Sequence, residues 1–228
     1  MQDGPAGRAK DRDEIAQAYS SEPWWYDLRG FFILTFAYRS TLWEQIRFFG
    51  GNMKAEHLEV AIGTGTLSDL ILKWRRFARM PFSHVVGVDY AERMLAGARK
   101  RFAGRTDIDL ERADVAALPF AANVFDSANI ANAVHCLPDV DAGLREVWRV
   151  LKPGGRLAAN VLLHARGMRA LKAFADRINA WGMRKGILAT PYDEGDVRRR
   201  IEAAGFMIIS ERIRGNTYIV LAEKPAAA

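Results

Sequence analysis

Leu58-Glu59-Val60-Ala61-Ile62-Gly63-Thr64-Gly65-Thr66 is the stretch on which the reading of this chain turns. An apolar, strand-like run bends on two glycines and passes at once into a helical pattern. Glycine permits a tight turn and a close backbone approach to a ligand, and the helix start behind it offers unpaired N–H groups. Further on, Val85-Val86-Gly87-Val88-Asp89 reads as a second strand ending in an acid that can accept both hydroxyls of a ribose. Together the two stretches predict an adenosine-containing cofactor on an α/β sheet. A dinucleotide fingerprint asks for a small residue three positions after Gly65, and Ser68 stands there, so spacing alone does not exclude a nicotinamide cofactor.

Working outward, strand-like and helical segments alternate. Strands are expected at Leu58–Ile62, Val85–Val88, Ile108–Arg112, Ser127–Ala131, Leu157–Leu163, Met207–Arg212 and Tyr218–Ala222. Helices are expected at Thr66–Arg76, Ala91–Phe102, Asp139–Val150, Ala170–Gly182 and Glu194–Ala204. Such alternation implies an α/β fold, a doubly wound, seven-stranded, mostly parallel sheet. A hairpin turned at Gly215-Asn216 makes the last strand antiparallel. An N-terminal helical segment and a helical lid insertion complete the expected architecture.

Three parts are expected along the chain. Residues 1–10 read as a disordered tail, residues 11–54 as an aromatic helical segment, and residues 55–225 as the cofactor-binding domain with a lid insertion at 165–190. Within that insertion Leu171, Phe174, Ala175, Ile178 and Trp181 recur at helical spacing. Arg29, Arg39, Glu44 and Arg47 interrupt the aromatic segment, which never reaches the unbroken apolar length of a membrane span.

Composition narrows the classes. A chain of 228 residues, half of them hydrophobic, can bury an ample core but is too short for two full α/β domains. Its single cysteine, Cys136, excludes an internal disulfide and a multi-cysteine metal centre, and no metal site is expected. With no signal sequence visible at its start, the expected compartment is the cytoplasm, with peripheral membrane contact open. A net charge of +6 suits an anionic partner, either a charged substrate or an anionic membrane surface. Nucleic acid is not expected, because basic runs interleaved with aromatics are absent.

What separates the candidate cofactors is the ordered series downstream: Ala113-Asp114-Val115, Leu118-Pro119-Phe120, Phe125-Asp126, then Leu151-Lys152-Pro153-Gly154-Gly155-Arg156-Leu157. With the glycine run, this set resembles the class I S-adenosylmethionine-dependent methyltransferases. The resemblance is closest to the branch that includes the ubiquinone/menaquinone C-methyltransferases, and it covers about residues 55–160. It implies S-adenosylmethionine as cofactor and S-adenosylhomocysteine as product. Carried over residue by residue, Glu59, Ala61, Gly63 and Gly65 fall on the acidic-x-Gly-x-Gly-x-Gly signature, with Ala61 replacing its first glycine. Asp89 falls on the ribose-holding acid, with Tyr90 and Met94 near the adenine. Asp114 and Val115 fall on the adenine-reading pair, and Ala131 and Asn132 lie where the methionine part passes. Tyr19 and Tyr26 match tyrosines that cover the cofactor carboxylate or the acceptor. The Lys73–His84 stretch looks like a basic insertion relative to the family pattern.

Methyl transfer is an in-line displacement, so positioning in a dry site supplies most of the catalysis. His135, just past the fourth strand, is the base candidate, because a neutral imidazole can take a proton near physiological pH. Tyr26 is the second catalytic candidate. His57 and His84 are expected at the surface. The expected function is methyl transfer to a small, apolar acceptor: a quinone or phenol, a lipid or a secondary metabolite. The alternative is an S-adenosylmethionine-binding enzyme of this fold with other chemistry. Oligomeric state is left open.

Overall fold

A capping box opens the first described helix. The Glu44 N–H donates to Thr41 Oγ1 (3.2 Å), and the Thr41 N–H donates back to Glu44 Oε2 (3.4 Å). The computed structural model describes residues 41–164 and 192–226. The tail at 1–10, the aromatic segment up to residue 40 with Tyr19 and Tyr26, and the lid insertion lie outside the described residues.

Within them the order is α1 (Leu42–Asn52), β1 (Glu56–Val60), α2 (Thr66–Phe77), β2 (His84–Asp89), α3 (Glu92–Arg101) and β3 (Ile108–Arg112). There follow β4 (Phe125–Ile130), α4 (Val140–Val150), β5 (Leu151–Leu162), α5 (Glu194–Ala203), β6 (Met207–Arg214) and β7 (Thr217–Glu223). The seven strands form one sheet in the order β3-β2-β1-β4-β5-β7-β6. Strands β1 to β5 pair parallel, whereas β7 runs antiparallel to both β5 and β6. The Gly215-Asn216 turn closes the β6–β7 hairpin, with Gly215 at φ 59°. The expected fold class is therefore observed.

Period-two alternation divides the sheet between two cores. Leu58 and Val60 face a cluster with Leu144 and Val147 of α4 and with Val197 and Ile201 of α5. On the opposite face Ile46 and Phe49 of α1, Ile71 of α2 and Ala98 of α3 pack with Phe102 and Val85. The same alternation puts His57 and Glu59 on the α1 side, fully shielded from solvent. His57 is thus interior rather than at the surface, because it sits on a strand flanked by β2 and β4 and roofed by α1.

The chain order reverses between β1 and β4, and the crevice at their carboxyl ends is where an open α/β sheet binds ligands. The fifth strand, expected at Leu157–Leu163, begins earlier, at Leu151, and takes in the Lys152-Pro153-Gly154-Gly155 run: Leu151 pairs with Phe125 and Arg156 already with Ser127, so the four residues bulge out against Asp126. Gly154 stands at φ 73° there, and its N–H donates to the Lys224 carbonyl (2.8 Å). No helix among the described residues is long and apolar enough to cross a membrane.

Candidate functional site

Between β1 and α2 the backbone takes three left-handed steps, at Ala61 (φ 54°), Gly63 (φ 60°) and Gly65 (φ 75°). The two glycines are needed for different reasons. A Cβ on Gly65 would lie 2.3 Å from the Phe102 ring, so this residue allows the loop to close on the protein. A Cβ on Gly63 would meet nothing within 4 Å. The loop is therefore bare of side chain on the side where a ligand backbone or ribose could rest. Ala61 holds the same left-handed angle with a methyl group, which costs about 1–2 kcal/mol in that region. Replacing Ala61 with Gly is expected to raise unfolding free energy by up to about 1 kcal/mol, the relief being partly offset by the greater freedom of glycine in the unfolded chain. Chemical denaturation measures this, and a less stable variant would refute the strain.

Asp89 ends β2 across from that loop. Its Oδ2 accepts the Gly63 N–H (2.8 Å) and its Oδ1 accepts the Ala91 N–H (2.8 Å). Burial pushes its pKa above the usual carboxylate range, against the lowering effect of those N–H groups. The Tyr90 N–H is a third backbone donor to this carboxylate, which still keeps acceptor capacity for a ribose hydroxyl while it holds the loop. Tyr90 follows, its ring under the Arg112 guanidinium (5.3 Å). Met94 is buried in the body of the domain, so it supports the pocket from below. Asp114 Oδ1 accepts the Ala116 N–H (3.0 Å) and shapes the turn that carries Val115. Gly63, Asp89 and Asp114 therefore come together along the carboxyl edge of β1, β2 and β3. A bare glycine, a diol acceptor and an adenine-edge acid fit an adenosyl cofactor.

Glu59, next to last in β1, is buried beside the loop. Only 3% exposed, it accepts Asn129 Nδ2 (2.7 Å) and meets His57 Nε2 (3.0 Å) at Oε1. His57 Nδ1 reaches Ser127 Oγ (2.7 Å), and Asn52 Nδ2 donates to Asn129 Oδ1 (3.0 Å). This buried chain ties β1 to β4 and α1 beside the cofactor loop.

A second polar chain follows β4. Ala131 is half-buried, and Asn132 sits at φ 56°. The Asn132 N–H donates to Asn160 Oδ1 (2.5 Å), Asn160 Nδ2 donates to Asn132 Oδ1 (2.6 Å), and Asn132 Nδ2 donates to Gln45 Oε1 (2.9 Å). Among the described residues, the buried Gln45 Nε2 has no hydrogen-bond partner. Sequence reasoning missed Gln45, Asn129 and Asn160. For Asn129 and Asn160 the signal was a polar residue inside the apolar strands Phe125–Ile130 and Leu151–Leu162, where a buried amide demands a partner; Gln45, on α1, gave no such signal.

His135 occupies a single 3₁₀ turn, Val134–Cys136, and is 4% exposed. Burial lowers its imidazole from 6.5 to about 4, so it is neutral at physiological pH. The unfolded chain then binds more protons than the folded one between those two values. Stability from this group is full above about pH 6.5 and is lost as pH falls toward 4, by about 3 kcal/mol in all. A His135→Gln variant is expected to show a flatter stability profile over that window in denaturant titrations. An unchanged slope would refute the assignment.

The described residues on either side of 165–191 meet at the same sheet edge. Leu163 bridges Tyr192, and the His164 N–H donates to the Tyr192 carbonyl (3.1 Å). His84 keeps partial exposure and bridges Glu56 and Asp109, both at 3.0 Å. Among the described residues no cluster of metal-binding side chains is found.

Comparison with known proteins agrees with this geometry. The family described as a methyltransferase domain matches residues 58–159. A demethylmenaquinone methyltransferase from Thermus thermophilus is 43% identical over 44% of this chain and 44% of its own length. The chain thus spans less than half the length of the first curated relatives it matches. A second demethylmenaquinone methyltransferase, from Thermobifida fusca, is 31% identical over 68% of this chain and 70% of its own length. Among solved structures, a [4+2]-cyclase superposes with a TM-score of 0.63 at 18% identity, over 82% of this chain and 80% of that one, which is a likeness of fold. Fold, site geometry and the length of that second match agree: the chain belongs to the class I S-adenosylmethionine-dependent methyltransferases, in the branch of the ubiquinone/menaquinone C-methyltransferases.

Proposed function

We propose that this protein transfers a methyl group from S-adenosylmethionine to a small, apolar, quinone- or phenol-like acceptor. The observation that carries the reading is the bare Gly63 beside the Asp89 carboxylate at the carboxyl edge of the sheet. The quinone-type acceptor rests on the names of the relatives, both demethylmenaquinone methyltransferases. When bound, S-adenosylmethionine supplies a methyl group on a sulfonium, ready for in-line displacement.

The chain's residues divide the remaining work. Asp89 takes the ribose hydroxyls, Asp114 and the Val115 N–H read the adenine edge, Tyr90 flanks the ring, and Met94 supports its pocket from below. Ala131 and Asn132 border the methionine part, with Gln45 and Asn160 fixing the Asn132 side chain. Glu59 acts by holding β1 and β4 in register with the loop. Tyr19 and Tyr26 cover the donor and acceptor from the N-terminal segment.

His135 takes the proton, with Tyr26 beside the acceptor. A pKa near 4 makes His135 a weak base, which bears on the kind of acceptor. An electron-rich ring carbon of a hydroquinone needs no prior deprotonation. After it takes the methyl, the ring carbon holds a strongly acidic proton that a weak base can remove. The acceptor class and the buried imidazole are therefore chemically matched.

Incubation with methyl-labelled cofactor and a demethylated naphthohydroquinone tests the proposal. Gain of one methyl on a ring carbon is expected, seen by product mass and fragmentation. Tight cofactor binding without label in any extractable product would favour non-methyl chemistry instead, of which the cyclase neighbour's name gives an instance in this fold.

A further inference from the structure

The end of α2 carries a display that the cofactor site does not use. Phe77 is 89% exposed and Phe82 70%, both far beyond the usual exposure of a large aromatic. Trp43, 55% exposed, packs edge-on against Trp74 one turn before Phe77, which extends the aromatic surface onto α1. Lys73, Arg76 and Arg79 are exposed around these rings; Lys73 pairs with Asp69 (2.7 Å), and residues 70–83 contain no further acid.

Two observations show that the display is built. Buried Arg75 pins the loop from within, donating to the Gly50 carbonyl (2.5 Å), the Pro81 carbonyl (2.7 Å) and Ser83 Oγ (2.9 Å). The helix also ends in a tight two-bond turn, with the Arg79 N–H on the Arg76 carbonyl and the Met80 N–H on the Arg75 carbonyl. Its left-handed residue is Arg79, at φ 53°, where glycine is strongly preferred. A left-handed cation among exposed aromatics costs local stability, and such strain clusters at functional surfaces.

We propose that Trp43, Phe77 and Phe82, with Lys73, Arg76 and Arg79, form a docking surface for an anionic phospholipid bilayer. Aromatic rings favour the headgroup level and cations favour the negative surface potential, and this patch offers both: Lys73 is paired with Asp69, and Arg76 and Arg79 add two further cations. The patch lies at the far end of α2 from Gly65, about 18 Å away at 1.5 Å per residue. The surface therefore tethers the protein at a membrane and is not the entrance to the cofactor site.

Sedimentation of the full chain with phosphatidylglycerol-containing vesicles, against phosphatidylcholine vesicles, reads the proposal without any activity assay. Its failure is thus separate from failure of the methyl-transfer reading. Binding to the anionic vesicles alone is expected, falling as salt rises. Phe77→Ser/Phe82→Ser should weaken it about tenfold or more through lost apolar burial. Arg79→Gly should weaken it about fivefold through one lost cation, yet raise the melting temperature by relieving the strained turn. That second variant cannot lose binding by misfolding. The proposal is overturned if wild-type protein ignores anionic vesicles, if both variants bind as wild type does, or if a DNA duplex competes fully for the patch.

Discussion

Gly63→Val is expected to weaken binding of S-adenosylhomocysteine by about 100-fold or more while the protein remains folded. Gly63 stands at φ 60°, where a β-branched side chain is strained by about 1–2 kcal/mol or more, so some loss of stability is expected as well. Because a Cβ there touches no protein atom, the added isopropyl group would project into open space above the loop. That is the space we assign to the ribose and methionine portions. Gly63→Ala separates strain from occlusion. Ala61 already tolerates a methyl group at nearly the same angle, so the alanine variant should fold almost normally and lose part of the affinity. Calorimetric titration decides the matter, and wild-type affinity in a folded valine variant would show that this loop does not approach the ligand.

Asp89→Ala should weaken cofactor binding by about 1.5–3 kcal/mol, the usual range for hydrogen bonds to a charged group. The geometry adds a second cause to the lost ribose acceptor. Both carboxylate oxygens also hold backbone N–H groups, of Gly63 and Ala91, so the alanine variant loosens the glycine loop itself. Asp89→Asn is for the same reason not conservative, since its amide nitrogen would face one of those donors. The asparagine variant should therefore lie closer to alanine than to wild type. An unchanged dissociation constant in a folded alanine variant would remove Asp89 from the site.

The two assignments differ in how much they owe to the fold. Gly63, Asp89 and Asp114 are legible from sequence because each ends a strand or makes a turn, and local rules place such residues at a sheet edge. Glu59 carries the same motif, and its Oε1 is in contact with His57 and Asn129, partners no local rule foretold. Strand position was readable there, but the face was not. His57 was misread for a related reason: a histidine near the start of a strand is buried or exposed according to what roofs it, and α1 supplies that roof.

Gln45, Asn132 and Asn160 stand 28 to 115 residues apart and meet only because β5 lies beside β4 and α1 packs across both. No local pattern announces such a meeting. The KPGG run illustrates the reverse case, a turn chemistry correctly visible in Pro153 and Gly154 that the sheet absorbs as a bulge inside β5.

By itself, then, the amino-acid sequence determined the strand and helix alternation, the seven-stranded sheet with its antiparallel last strand, and the glycine loop facing Asp89. All of these follow from short-range periodicity and from backbone angles that few residues accept. Tertiary structure alone decided which face each polar side chain took: why Glu59 is buried beside the loop, why His135 is neutral, and why Arg79 is held among bare aromatic rings. Those outcomes depend on burial and on partners distant in the chain, and a buried polar group acquires its role only when the fold supplies its surroundings.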